Sequence, residues 1–112
     1  MHSQIIAILA AAACALSTAA IAQDAGKDAG SDAKKIDAGE SVYNNYCETC
    51  HGAKLVNIGQ SSFDLRRLRA DERPRFETSV MNGKGNMPPW KGVIDAEQLD
   101  LLWAFIRANA KP

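Results

Sequence analysis

The sequence predicts an all-α domain whose first and last helices pack together around a group held in the core. Three observations predict it. A run of apolar and aromatic residues at helical spacing ends in Cys47-Glu48-Thr49-Cys50-His51, and a second, broader stripe follows Asp95. The folded part is also short, and a domain of that size buries too little surface to be comfortably stable without help.

The elements follow in chain order. Residues 5–22 are apolar and alanine-rich with no charged side chain, and Ala20-Ile21-Ala22 fits the small-x-small pattern before a signal peptidase cut. Residues 1–22 are therefore expected to be a signal peptide, cleaved after Ala22, that sends the chain to the periplasm. The n-region Met1-His2-Ser3-Gln4 lacks Lys or Arg. An uncleaved membrane anchor is the first alternative, although the segment barely reaches the length of a bilayer crossing. Lipidation at Cys14 is the second, disfavoured because Ala11-Ala12-Ala13 lacks a leucine three residues before the cysteine.

Residues 23–35 hold Ala, Gly, Asp and Lys without aromatic or branched apolar residues, and are expected to be a flexible leader. From Ile36 the pattern changes. Gly39, Glu40, Val42, Tyr43 and Tyr46 lie on a helix that delivers Cys47 at its last turn, with Asp37 as the expected N-cap. Residues 36–112 form the predicted domain. Gly52 and Gly59 bracket an irregular stretch, and residues 63–69 suit either a short helix or an extended segment. Residues 72–80 read as a helix with Phe76 and Val80 on one face, Pro74 in the first turn and Gly83 at the end. Asp95 then caps a helix on which Leu99, Leu102, Trp103 and Ile106 recur, widened by Leu101 and Phe105.

Acidic and basic residues balance at 13 each, so net charge nominates no partner and argues against nucleic acid. The motif is more telling. Two thiols and an imidazole in the order Cys47-x-x-Cys50-His51 are what covalent attachment of a c-type haem requires, with thioethers from Cys47 and Cys50 and an axial nitrogen from His51. A zinc site would require two more ligands, and beyond the signal-like segment the chain has no further Cys or His. A redox dithiol of the thioredoxin type requires an α/β scaffold, whereas the segment before Cys47 reads as helix.

The second axial ligand has to come from the opposite face. Met87 lies in Gly85-Asn86-Met87-Pro88-Pro89-Trp90, where consecutive prolines restrict the loop and push the preceding residue toward an extended conformation. Such a loop can hold a thioether still. Met81, at a helix end, reads better as a packing residue. Ligation by His51 and Met87 favours reduced iron and implies a relatively high reduction potential. Trp90 is expected on the methionine side of the haem, and Trp103 in the interface of the last helix.

With these residues in view, the chain resembles the class I monohaem cytochromes c over residues 36–110. His51 and Met87 match that family's axial pair. Gly39 and Tyr43 match its first-helix glycine and aromatic, and Phe105 matches its last-helix aromatic. Phe63-Asp64-Leu65-Arg66, Gly83 to Trp90 and Leu101 to Phe105 are similar to small periplasmic cytochromes that accept electrons from pyrroloquinoline-quinone-dependent alcohol dehydrogenases. The resemblance implies a monomeric, non-enzymatic shuttle of single electrons, with such a dehydrogenase as donor, a cytochrome oxidase as acceptor and transient contact with membrane complexes. A tightly bound subunit of a respiratory or dehydrogenase complex is the alternative, followed by a haem-based gas sensor or peroxidase.

One departure stands out. The family has a proline soon after the motif whose carbonyl orients the axial histidine, but here Pro74 is the only proline between His51 and Met87. A ligating imidazole has such a carbonyl partner, and it is expected within residues 56–59. Arg66, Arg67, Arg69, Arg73 and Arg75 form a dense basic cluster, read either as facing an acidic partner or the haem propionates, or as a solvated surface.

Overall fold

A computed structural model describes residues 22–57, 59 and 62–112. The expected signal peptide, including His2 and Cys14 and all but its last residue, lies outside the described residues. Four α-helices follow one another: α1 (Ala22–Tyr46), α2 (Glu48–His51), α3 (Arg73–Asn82) and α4 (Ala96–Ala108). Short 3₁₀ turns occupy Ala53–Leu55, Leu65–Arg67 and Ala70–Glu72. The only β pairing among the described residues is two isolated bridges, Lys84 with Met87 and Lys91 with Ile94.

The architecture is all-α, with α1 and α4 in close contact. Gly39 permits that contact. A Cβ built there would overlap the Leu101 carbonyl and lie 2.9 Å from the Phe105 Cβ, so only glycine lets the two backbones approach this closely. One turn on, the buried Tyr43 ring meets Phe105 with centroids 5.3 Å apart. Val42, Leu99, Leu102 and Ile106 complete this interface, and Leu55, Leu68, Phe76, Val80 and Ile94 extend the core away from it.

The helix ends follow local chemistry. Asp95 accepts from the Gln98 amide at 2.8 Å while the Gln98 side chain accepts from the Asp95 amide at 3.1 Å, a reciprocal capping box that satisfies two otherwise orphaned donors. Pro74 sits in the first turn of α3, where its missing N–H costs nothing, and Gly83 ends the helix at φ 74°. The segment at 63–69 takes the helical alternative in its middle, as a single 3₁₀ turn capped by Asp64.

One expectation is corrected here, and it concerns the start of the first helix. Residues 23–35 continue α1 as helix. The packed half of α1 supplies the nucleus, and propagation from it through alanine-rich sequence is favourable despite Gly26 and Gly30. Residues 29–35 are nevertheless fully exposed. Asp37 consequently lies inside the helix and caps nothing; its carbonyl accepts the Ser41 hydroxyl one turn on.

Candidate functional site

The motif hangs from the end of α1. The Cys47 amide donates to the Tyr43 carbonyl at 2.8 Å, and the His51 amide to the Cys47 carbonyl at 3.0 Å. Cys47, Cys50 and His51 are thus presented on one helical turn. Both thiols are free, Cys47 half-buried and Cys50 exposed. Burial, reinforced by Cys50, pushes the Cys47 thiol up to about 11. The turn is locked by Gly52, whose φ of 87° and contact with the Val56 carbonyl leave no room for a side chain. The Tyr43 hydroxyl donates to the Gly52 carbonyl at 2.6 Å. Burial first, then Cys47, raises that phenol to about 12, which keeps it a donor.

His51 finds its backbone partner in Phe63, with Nδ1 3.1 Å from the carbonyl oxygen. This corrects the expectation of an acceptor within residues 56–59. Lys54 and Leu55 take left-handed backbone angles and Leu55 plugs the core. The Val56 carbonyl lies over Gly52, and the Phe63 carbonyl is what lies beside the imidazole. A carbonyl only accepts, so the proton resides on Nδ1 and the Nε2 lone pair is left free to coordinate. Burial lowers the His51 pKa, outweighing the Phe63 hydrogen bond, which holds the ring neutral.

Met87 arrives by a tight turn. The Lys84 amide donates to the Met87 carbonyl at 3.1 Å and the Met87 amide to the Lys84 carbonyl at 3.0 Å, with Gly85 at φ 58° as the first of the two linking residues. Beyond the two prolines, the Trp90 amide donates to the Val80 carbonyl at 2.8 Å. This ties the loop back to a free carbonyl of the last turn of α3.

These elements surround one cavity of about 520 Å³, within the roughly 300–1,000 Å³ of small-molecule sites. Its wall includes Cys47, Cys50, His51 and Met87, with Tyr43, Tyr46, Phe63, Leu65, Leu68, Phe76, Val80, Trp90, Leu102 and Ile106 as the apolar and aromatic remainder. Met81 is packed against the core and is not part of that wall. Trp90 lines the cavity beside Met87 and meets Tyr46 edge-on at 5.5 Å. Trp103 stacks on Phe76 at 5.2 Å. Among the described residues, no group of three or more His, Cys, Asp or Glu side chains is arranged to hold a metal ion. A mainly apolar cavity bearing two thiols, a neutral imidazole and a thioether offers the donor set that a covalent haem requires.

The arginine cluster is largely spoken for within the chain. Arg66 pairs with Asp64, Arg69 with Asp71, Arg73 with Glu77 and Asp100, and Arg75 with Glu72. Of the five, Arg75 alone reaches the cavity wall, with its guanidinium 4.7 Å from the centre of the Phe63 ring; Lys84 joins it there. Two contributors had little signal in the sequence: the Phe63 carbonyl, a backbone atom, and the Tyr43 hydroxyl, on a residue read for its ring. The Asp64-Leu65-Arg66 run, a side-chain-capped turn, was the available hint for the first.

Comparison with known proteins points to one family. The family described as cytochrome C oxidase, cbb3-type, subunit III matches residues 34–106. Cytochrome c6 of Rippkaea orientalis is 32% identical over 78 residues, covering 66% of this chain and 70% of that protein. Cytochrome c6 of Euglena viridis is 29% identical over 79 residues, covering 65% of this chain and 91% of that protein. The quinohemoprotein alcohol dehydrogenase ADH-IIG of Pseudomonas putida is 30% identical over 81 residues, covering 70% of this chain but 11% of that enzyme. No solved structure gives a significant match.

Proposed function

The chain belongs to the cytochrome c family represented by cytochrome c6 and by the cbb3-type oxidase subunit III, and from that premise we propose that it is a periplasmic carrier of single electrons with one covalent haem c. Cys47 and Cys50 would hold the haem through thioethers, and His51 and Met87 would supply the nitrogen and sulfur ligands to its iron. The observation that carries this reading is the meeting of both thiols, the imidazole and the thioether on the wall of a single apolar cavity. When bound, the haem supplies a reversible one-electron change at iron.

The chain's own residues prepare the site for that change. Phe63 holds the Nδ1 proton of His51 and thereby orients the ring and enriches its other nitrogen. Burial keeps the imidazole neutral and available as a ligand. The Gly85 turn and the two prolines hold Met87 in place, so both ligands stay put between oxidation states and little reorganisation accompanies transfer. Leu65, Leu68, Val80 and Ile106 exclude water. The exposed side of Cys50, with Phe63 and Val56 both 41% exposed, is the contact patch for a transient partner. A quinoprotein dehydrogenase as donor and a terminal oxidase as acceptor are the proposed partners.

Attachment is the test. Protein matured with the haem-attachment machinery is expected to retain haem through acid-acetone extraction and to give the pyridine haemochrome spectrum of two thioethers. Cys47→Ala and Cys50→Ala are each expected to shift that spectrum toward one thioether. Release of all haem from the wild type would defeat the proposal.

A second reading has specific support, since one match is to an oxidase subunit family and another to a small part of a larger dehydrogenase. As a bound subunit, the protein would copurify with such a complex in fixed stoichiometry. As a shuttle, it would exchange freely and react at salt-dependent rates.

A further inference from the structure

The Phe63 carbonyl that engages His51 is not held by its own loop alone. It shares a peptide plane with the Asp64 amide, so whatever fixes Asp64 fixes the acceptor. Asp64 Oδ1 accepts from the Arg66 amide at 3.1 Å and from Arg66 Nε at 2.9 Å, and Oδ2 accepts from Arg66 Nη2 at 3.0 Å. Lys111, just beyond α4, then closes the arrangement twice. Its amide donates to the Arg66 carbonyl at 2.9 Å, and its Nζ lies 3.5 Å from Asp64 Oδ2. Arg107, in the last turn of α4, adds a hydrogen bond from Nη1 to the Leu68 carbonyl.

The Asp64–Arg66 pair differs from the exposed Arg69–Asp71 pair, while the Lys111 side chain is itself 52% exposed. The Asp64 and Arg66 side chains are 20% and 21% exposed, against 69% and 72% for Asp71 and Arg69. Exposed pairs contribute little, whereas a bidentate, half-buried pair that also carries backbone bonds restrains geometry. Neither Lys111 nor Pro112 enters the core, so apolar packing does not account for these contacts.

We infer that Asp64, Arg66 and Lys111 form a strap that positions the Phe63 carbonyl against His51, so that the segment following α4 tunes the histidine ligand. The inference rests on the haem reading above. Asp64 is the hub and Lys111 the clasp. Both are positioning residues, acting on His51 through the Phe63 carbonyl. A firmly held carbonyl makes the imidazole a more electron-rich ligand and stabilises oxidised iron. Loosening it shifts the potential upward.

The sign of the shift separates positioning from simple charge. Deleting Lys111 and Pro112 removes a cation and brings a terminal carboxylate closer, and electrostatics alone would lower the potential. Loss of positioning raises it. In the holoprotein lacking residues 111–112, we expect a higher potential than wild type. We also expect exchange of the His51 Nδ1 proton, followed by NMR in the reduced state, to accelerate about fivefold, the equivalent of one ordinary hydrogen bond. Lys111→Arg is expected to retain the wild-type values for both. Lys111→Gln, which keeps the backbone donor and loses only the ion pair, is expected to shift both in the same direction as the deletion and by less. A lowered potential with unchanged exchange in the deletion would overturn the strap and leave the haem reading intact. Absence of bound haem in the wild type would overturn both.

Discussion

Gly39 is where the fold tolerates least change. A methyl group there would overlap the Leu101 backbone, which cannot rotate away as a side-chain tip can. Gly39→Ala is expected to destabilise by about 2–3 kcal/mol, the upper range for overpacking, and to lower the thermal midpoint measured by circular dichroism. Tyr43→Phe keeps the ring against Phe105 but leaves the Gly52 carbonyl without the hydroxyl. A loss of about 1 kcal/mol in denaturant titration is expected. Asp64 gives a pH signature. The Arg66 side chain holds its carboxyl down at about 2, from an ordinary 3.8. Its contribution is fully present above the unfolded value and is lost as pH falls from about 4 through about 2. The stability gap between wild type and Asp64→Asn is therefore expected at pH 5 and should close toward pH 2. A gap that stays constant across that window would remove Asp64 from the account.

At the level of elements, what the sequence made legible depended on whether the signal was local. α4 could be read from its cap and its stripe, because both the Asp95 box and the Leu99, Leu102, Ile106 spacing are carried by neighbouring residues. α3 could be read for the same reason, from Pro74 and Gly83. The start of α1 could not. Its composition favours solvation, and only continuation from a packed helix makes residues 23–35 helical. Since residues 29–35 touch none of the core, removing residues 23–35 from the mature protein is expected to leave the thermal midpoint unchanged while reducing helical ellipticity. The loop to Phe63 was illegible for a different reason. Lys54 and Leu55 take left-handed angles that neither residue type advertises, and the acceptor for His51 is a backbone carbonyl, at Phe63, that no side chain announces.

For the whole molecule, the sequence indicated a core too small to stand alone and a motif that brings in a cofactor. The cavity between α1, α3, α4 and the Met87 loop is where the two meet. Cys47 and Met87, far apart in the chain, both line that cavity, and each is carried by a local device that the sequence displays, a helix end for one and a glycine turn with two prolines for the other. The arginines could not be assigned in advance, since packing brings Asp100 to Arg73 and, of the cluster, only Arg75 reaches the cavity. Among the described residues no helix is long and apolar enough to cross a membrane.

The proposal that His51 and Met87 would both coordinate a haem iron in this cavity meets its sharpest test in the near-infrared absorption of the oxidised holoprotein. The weak band of methionine bound to ferric iron is expected in wild type and in Met81→Ala, and its loss is expected in Met87→Ala. A wild-type spectrum without that band, or a band that survives Met87→Ala, would contradict the axial pair.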